Sequence, residues 1–167
     1  YLPVDENGLV NPDDLEKAIT DKTILVSIMF ANNEIGTIQP IKELAEVAHK
    51  HDVYFHTDAV QAVAHVEIDV KELGVDLLSM SAHKFHGPKG VGFLYARESV
   101  PIAPFILGGS QENHMRAGTQ NVPSIVGMAL AAKMTHETMQ NRILSTAKKR
   151  DYLIRRILRE IPFSRLN

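Results

Sequence analysis

Short, nearly unbroken apolar runs alternate along this chain with stretches whose apolar residues recur every three or four positions. That alternation restricts the fold more than any other property. The first run, residues 24–30, is too short for a buried helix and suits a strand covered on both faces. Asn32-Asn33-Glu34-Ile35-Gly36 breaks it. Residues 40–51 follow, with Ile41, Leu44, Ala45 and Ala48 spaced i, i+3, i+4, i+7, which predicts an amphipathic helix. Further strands are expected at 53–57, ending at Asp58, at 75–80, and at 90–96. Upstream, Asn11 followed by Pro12, Asp13 and Asp14 has the chemistry of a helix start, with Leu15, Ala18 and Ile19 on one face. The pattern predicts an α/β fold with a mostly parallel sheet flanked by helices. Only a Gly/Pro turn links the third and fourth runs, so the fourth strand reverses.

The segment from Ala59 reads as a short helix or a loop. Residues 108–119 form a long polar, glycine-bearing loop of the kind that serves a function or an interface. From Pro123 the helical pattern continues almost to Glu160, longer than the usual 8–20 residues. A break is therefore expected near residues 138–141. With 18 basic and 20 acidic residues the net charge is -2, which provides no electrostatic footprint for nucleic acid or an anionic membrane surface. No apolar run reaches the roughly 18 residues that cross a bilayer, and a soluble protein with neither nucleic acid nor membrane as partner is expected. The absence of cysteine removes disulfides and thiol chemistry from this stretch. The chain starts without methionine and stops just past a helical stretch, which reads as a piece of a longer protein.

In open parallel sheets, ligands bind outside the carboxyl ends of the strands. Three polar groups fall at such ends: Asn32-Asn33-Glu34, Asp58 with Gln61, and Ser81 with His83 and Lys84. An amine, a carboxylate and an amide are the parts a pyridoxal phosphate site requires. The lysine holds the aldehyde as a Schiff base, and the carboxylate keeps the ring nitrogen protonated so that the ring can accept electrons. Plainer roles exist for the same residues. Asp58 can cap a helix from Ala59, Thr119 can be a capping or turn residue, and the paired asparagines can be turn formers. The eight histidines give no zinc spacing with carboxylates, and His49 and His51 do not share a helix face, so no metal site is expected.

Five ordered motifs carry a resemblance: Ala31-Asn32-Asn33-Glu34-Ile35-Gly36, His56-Thr57-Asp58-Ala59-Val60-Gln61, Ser79-Met80-Ser81-Ala82-His83-Lys84, Gly87-Pro88-Lys89-Gly90, and Gly108-Gly109 through Arg116-Ala117-Gly118-Thr119. Together they resemble the NifS/IscS-type cysteine desulfurases, class V aminotransferase-like enzymes of PLP fold type I. The resemblance implies that Lys84 anchors the cofactor, Asp58 pairs with its ring nitrogen and Gln61 hydrogen-bonds its phenolate oxygen. It further implies that Ser81 and His83 contact the phosphate, that His83 is catalytic together with Lys84, and that Asn33 lies near the ring oxygen and the substrate carboxylate. Thr119 would reach the phosphate in a second subunit, which implies a homodimer. Residues 1–138 would be the C-terminal part of the large PLP-binding domain, and 139–167 a linking helix and the beginning of the small domain. The implied activity converts L-cysteine to L-alanine, passing sulfur to an enzyme persulfide and on to an acceptor or iron–sulfur scaffold protein in the cytoplasm. The cysteine that carries sulfur in this family is missing from the chain, as are the N-terminal loops of the site, so the segment alone should not turn over. Selenocysteine lyase and class V aminotransferase are alternative readings, and a non-catalytic homologue is a third.

Overall fold

Each apolar run becomes a strand in the computed structural model, which describes residues 1–166. The strands are β1 (Leu25–Met29), β2 (Tyr54–Asp58), β3 (Leu77–Ser81) and β4 (Gly92–Ala96), and the sheet order is β1-β2-β3-β4. The first three are parallel and β4 runs antiparallel to β3, as the short link requires. Gly92 makes that last pairing possible, because a Cβ there would sit 2.3 Å from the carbonyl oxygen of Met80. No side chain fits so close to a backbone that the sheet itself holds.

Two helices come from the expected places. In α1 (Pro12–Ala18) the Asn11 side chain accepts the Asp13 N–H at 2.9 Å, and α2 (Ile41–Lys50) buries Leu44 and Ala48 completely. The helix-covered face of the sheet carries Val26, Ile28, Phe55, Thr57, Leu78 and Met80, all buried. Full burial of a side chain such as Phe55 contributes about 1.5–3 kcal/mol relative to exposure. Buried Thr57 spends its hydroxyl on the Ile28 carbonyl at 3.0 Å. At the amino ends of β2 and β3, the buried Asp76 carboxylate accepts the Phe55 N–H and meets His49 and Arg97 at 2.7 and 3.2 Å, closing that edge of the sheet.

The opposite face departs from expectation. β1 is buried only at Val26 and Ile28, while Leu25 is 45% exposed and Ser27 lies open, so two-sided burial is not met. β1 is an edge strand here, and α2 covers one side of the sheet only. From Ala59 the chain forms successive turns rather than a helix.

α3 (Val122–Glu160) is one uninterrupted helix of 39 residues, so the break expected near 138–141 does not occur. A kink needs proline, glycine or an insertion into the hydrogen-bond ladder, and residues 138–141 hold neither proline nor glycine. The hydroxyls of Thr135 and Thr138 return to the carbonyls of Ala131 and Met134 and leave the ladder intact. No helix among the described residues is long and apolar enough to cross a membrane.

Candidate active site

Parallel pairing brings the carboxyl ends of β1, β2 and β3 to one edge of the sheet. Past β1, Asn32 is consumed by the turn, its Oδ1 accepting the N–H groups of Glu34 and Ile35 at 2.8 and 3.0 Å, while Gly36 supplies a φ of 76°. Asn33 is thereby left exposed at the rim. The double asparagine thus divides its labour, one residue making the turn and the other facing outward.

Asp58 ends β2 and is in register with Met29 on one side and Ser79 on the other. Its backbone is gripped from both sides: Phe30 N–H donates to the Asp58 carbonyl at 2.8 Å, and Ala59 N–H donates to the Ser79 carbonyl at 2.9 Å. The Asp58 Oδ1 accepts the Val60 N–H at 2.9 Å. No helix starts at Ala59, so the anticipated cap does not form; the bond closes a turn and aligns the carboxylate. Gln61 follows, half-buried, in the turn that Ala59 and Ala62 anchor with complete burial.

Lys84 does not sit in a loop. Residues Ala82–Phe85 form a single 3-10 turn directly after β3, whose ends Ala82 and Phe85 are fully buried. The turn is stopped by His86 in the left-handed conformation and by the Gly87 N–H donating to the Ala82 carbonyl at 2.9 Å. A Cβ on Gly87 would lie 2.9 Å from that of Ala82, so the chain can close there only with glycine. From this base Ser81 Oγ and His83 Nδ1 share a hydrogen bond of 2.7 Å, and half-buried Lys84 follows. Gly127 lets α3 come down on Pro88, where a Cβ would be 2.9 Å from the ring, and α3 thereby buttresses the turn.

Asn33, Asp58, Gln61, Ser81, His83 and Lys84 therefore share one edge of the sheet. Thr119 does not join them. It is exposed on a separate loop, beside Gly118, whose N–H donates to Gln111 Oε1 at 3.1 Å and whose carbonyl accepts from Arg116. A cavity of about 720 Å³ lies on the other face of the sheet, between Leu78, Phe93 and Tyr95 and the α3 residues Thr135 and Met139. It shares no residue with this set.

Sequence reasoning passed over three further side chains. His56 lies two residues before Asp58, hence on the same face of β2, and its Nδ1 meets Ser27 Oγ at 2.8 Å while its Nε2 meets Ser79 Oγ at 3.2 Å. Burial pushes the His56 imidazole below its ordinary range, and the Asp58 carboxylate opposes that shift. The period-two spacing of His56 and Asp58 was the available signal.

The whole chain, residues 1–167, matches the family described as aminotransferase class-V. It is 57% identical over 167 residues to the cysteine desulfurase IscS of Dictyoglomus turgidum and 56% identical to that of Methanosarcina thermophila, in each case over 100% of this chain. It spans only 42% and 41% of the length of those two relatives. Among solved structures, a NifS-like protein superposes with a TM-score of 0.92 at 45% identity, over 95% of this chain and 44% of that one. SspA in complex with cysteine gives a TM-score of 0.77 at 44% identity, over 80% of this chain and 39% of that one.

Proposed function

The chain belongs to the aminotransferase class-V family, and from that premise we propose that its parent protein is a PLP-dependent cysteine desulfurase. The reaction converts L-cysteine to L-alanine and delivers the sulfur to a cysteine outside this chain. The observation that carries this reading is the placement of Lys84 on a rigid 3-10 turn beyond β3, with Ser81 and His83 bonded beside it and Asp58 at the end of the neighbouring strand. The donor set fits the cofactor: an amine for its aldehyde, a carboxylate for its ring nitrogen, and a hydroxyl–imidazole pair for its phosphate. The Asp58 Oδ1 is engaged by the Val60 N–H, and no other residue among those described donates to Oδ2, which leaves that oxygen for a cationic partner.

When bound, the cofactor supplies an electron sink for the carbanion formed at the substrate α-carbon. Asp58 holds the ring nitrogen in its protonated, electron-withdrawing form. Lys84 Nζ would hold the aldehyde carbon and would carry a proton to and from the substrate carbons. Ser81 and His83 hold the phosphate, Gln61 the ring oxygen, and Asn33 the ring oxygen and the substrate carboxylate. Thr119 serves the phosphate of a second subunit, so the working unit is a homodimer. Thr119 is exposed, and the same loop region, where Ala117 N–H donates to the Ile106 carbonyl, carries Phe105 and Leu107 at 96% and 80% exposed, which supports an interface there.

Residues 1–138 are assigned to the large cofactor domain and 139–167 to the linking helix and the small domain. α3 stays tethered to the sheet layer slightly past this boundary, where Gln140 donates to Glu67 and Arg142 to the Ala64 carbonyl, each at 2.7 Å. Asn167 lies outside the described residues. A sulfur acceptor or iron–sulfur scaffold protein is the partner, and the cytoplasm is assigned on the family reading alone.

Alanine formation from L-cysteine by the full-length parent tests the proposal. Replacing Lys84 with Ala should lower it by about 10²–10⁴-fold, the size of a lost proton carrier and anchor. Amino transfer to a keto acid with no alanine formed from cysteine would reject the desulfurase reading.

A further inference from the structure

The strand register puts Ser27 and His56 in one row of the open sheet face, with Met29, Asp58 and Ser79 in the next row toward the carboxyl ends. The imidazole does not simply face its own row. Its Nδ1 reaches Ser27 Oγ on β1, and its Nε2 leans forward to Ser79 Oγ, the register partner of Asp58 on β3. Three side chains thus bridge three strands next to Asp58, with Ser27 and His56 one row behind it and Ser79 beside it in register. We infer that His56 is a positioning residue for Asp58: the Ser27–His56–Ser79 bridge fixes the end of β2 and sets the height at which the carboxylate meets the cofactor ring.

Two features fit this role better than that of a plain sheet staple. Both ring nitrogens are occupied by hydroxyls, which can donate or accept, so the ring stays tethered in either tautomer. Burial also disfavours its charged form, against the pull of Asp58, the only charged group found acting on it among the described residues. A neutral imidazole leaves the full charge of Asp58 to the cofactor nitrogen, whereas an imidazolium would compete for it.

The inference rests on the assignment of Asp58 as the cofactor's partner, and the test separates the two. In the full-length parent, three properties are measured for wild type, Asp58→Asn, His56→Phe and His56→Gln. They are the pH midpoint of the bound cofactor's visible absorption, the affinity of the apoprotein for pyridoxal phosphate, and the thermal midpoint of the apoprotein. His56→Phe should move the absorption midpoint in the same direction as Asp58→Asn, by less, and weaken cofactor binding about tenfold, by analogy with the outer partners of metal ligands. His56→Gln, which can still bond a serine, should recover part of both. If Asp58→Asn leaves the absorption unmoved, the assignment of Asp58 itself falls. If Asp58→Asn moves it and the His56 variants lower only the thermal midpoint, the bridge is a staple and the inference is overturned. Should His56→Phe fail to fold, Ser27→Ala at its exposed position decides by the same readouts: a smaller shift in the same direction supports the inference, and none overturns it.

Discussion

His56 also governs a prediction at the scale of one residue. Its folded form resists protonation because burial outweighs the attraction of Asp58, whereas the unfolded chain takes up that proton near the ordinary value of 6.5. Below that value the unfolded state binds more protons, so stability rises with pH across the window and is lost as pH falls from 6.5 toward the lower folded value. The thermal midpoint of the parent should therefore drop on acidification through this window, and His56→Gln should flatten that part of the curve. An unchanged curve in the variant would show that another group controls it. The positions of the proposed site residues Asp58 and Lys84 were legible because each stands next to a strand end in the linear sequence. For His56 only the period-two spacing from Asp58 was readable, because its partners are 29 and 23 positions away on other strands, where only the register reveals them.

At the scale of elements, strands and helices were read correctly where periodicity decides them, including the reversal into β4. Three features eluded the sequence for physical reasons. The 3-10 turn at Lys84 hides behind Gly87 and Pro88, which signal a loop, while burial of Ala82 and Phe85 is what imposes the turn. The length of α3 exceeds the common range, yet a helix of 39 residues, about 58 Å long, persists where no proline or glycine interrupts it after Gly127. The coverage of β1 depends on what lies over the other face of the sheet, which its own residues do not encode. The contact of α3 with the lysine turn yields a second prediction. Gly127→Val should force the helix away from Pro88, whose ring would be 2.9 Å from the first added carbon, an overpacking that costs about 1–3 kcal/mol. Faster loss of bound cofactor is expected on dialysis, with no cofactor contact altered. Retention equal to wild type would show that α3 does not hold the turn.

At the scale of the whole molecule, the chain supplies an organised edge and leaves much else to its surroundings. One sheet face, the β1 edge and the Phe105–Leu107 stretch are exposed, and the curated relatives are more than twice as long as the chain. An exposed strand edge and exposed large apolar side chains are liabilities that folded proteins cover or blunt. The proposed site is divided in the same way: the residues proposed as anchor, ring partner and phosphate ligands are here, and the proposed sulfur-carrying thiol is not, since the chain has no cysteine. The central claim is that Lys84 is the cofactor anchor. Reducing the full-length parent with borohydride, digesting it and sequencing the labelled peptide by mass spectrometry tests that claim most directly. The pyridoxyl group should be found on Lys84, and a label on any other lysine, or none, would contradict the assignment.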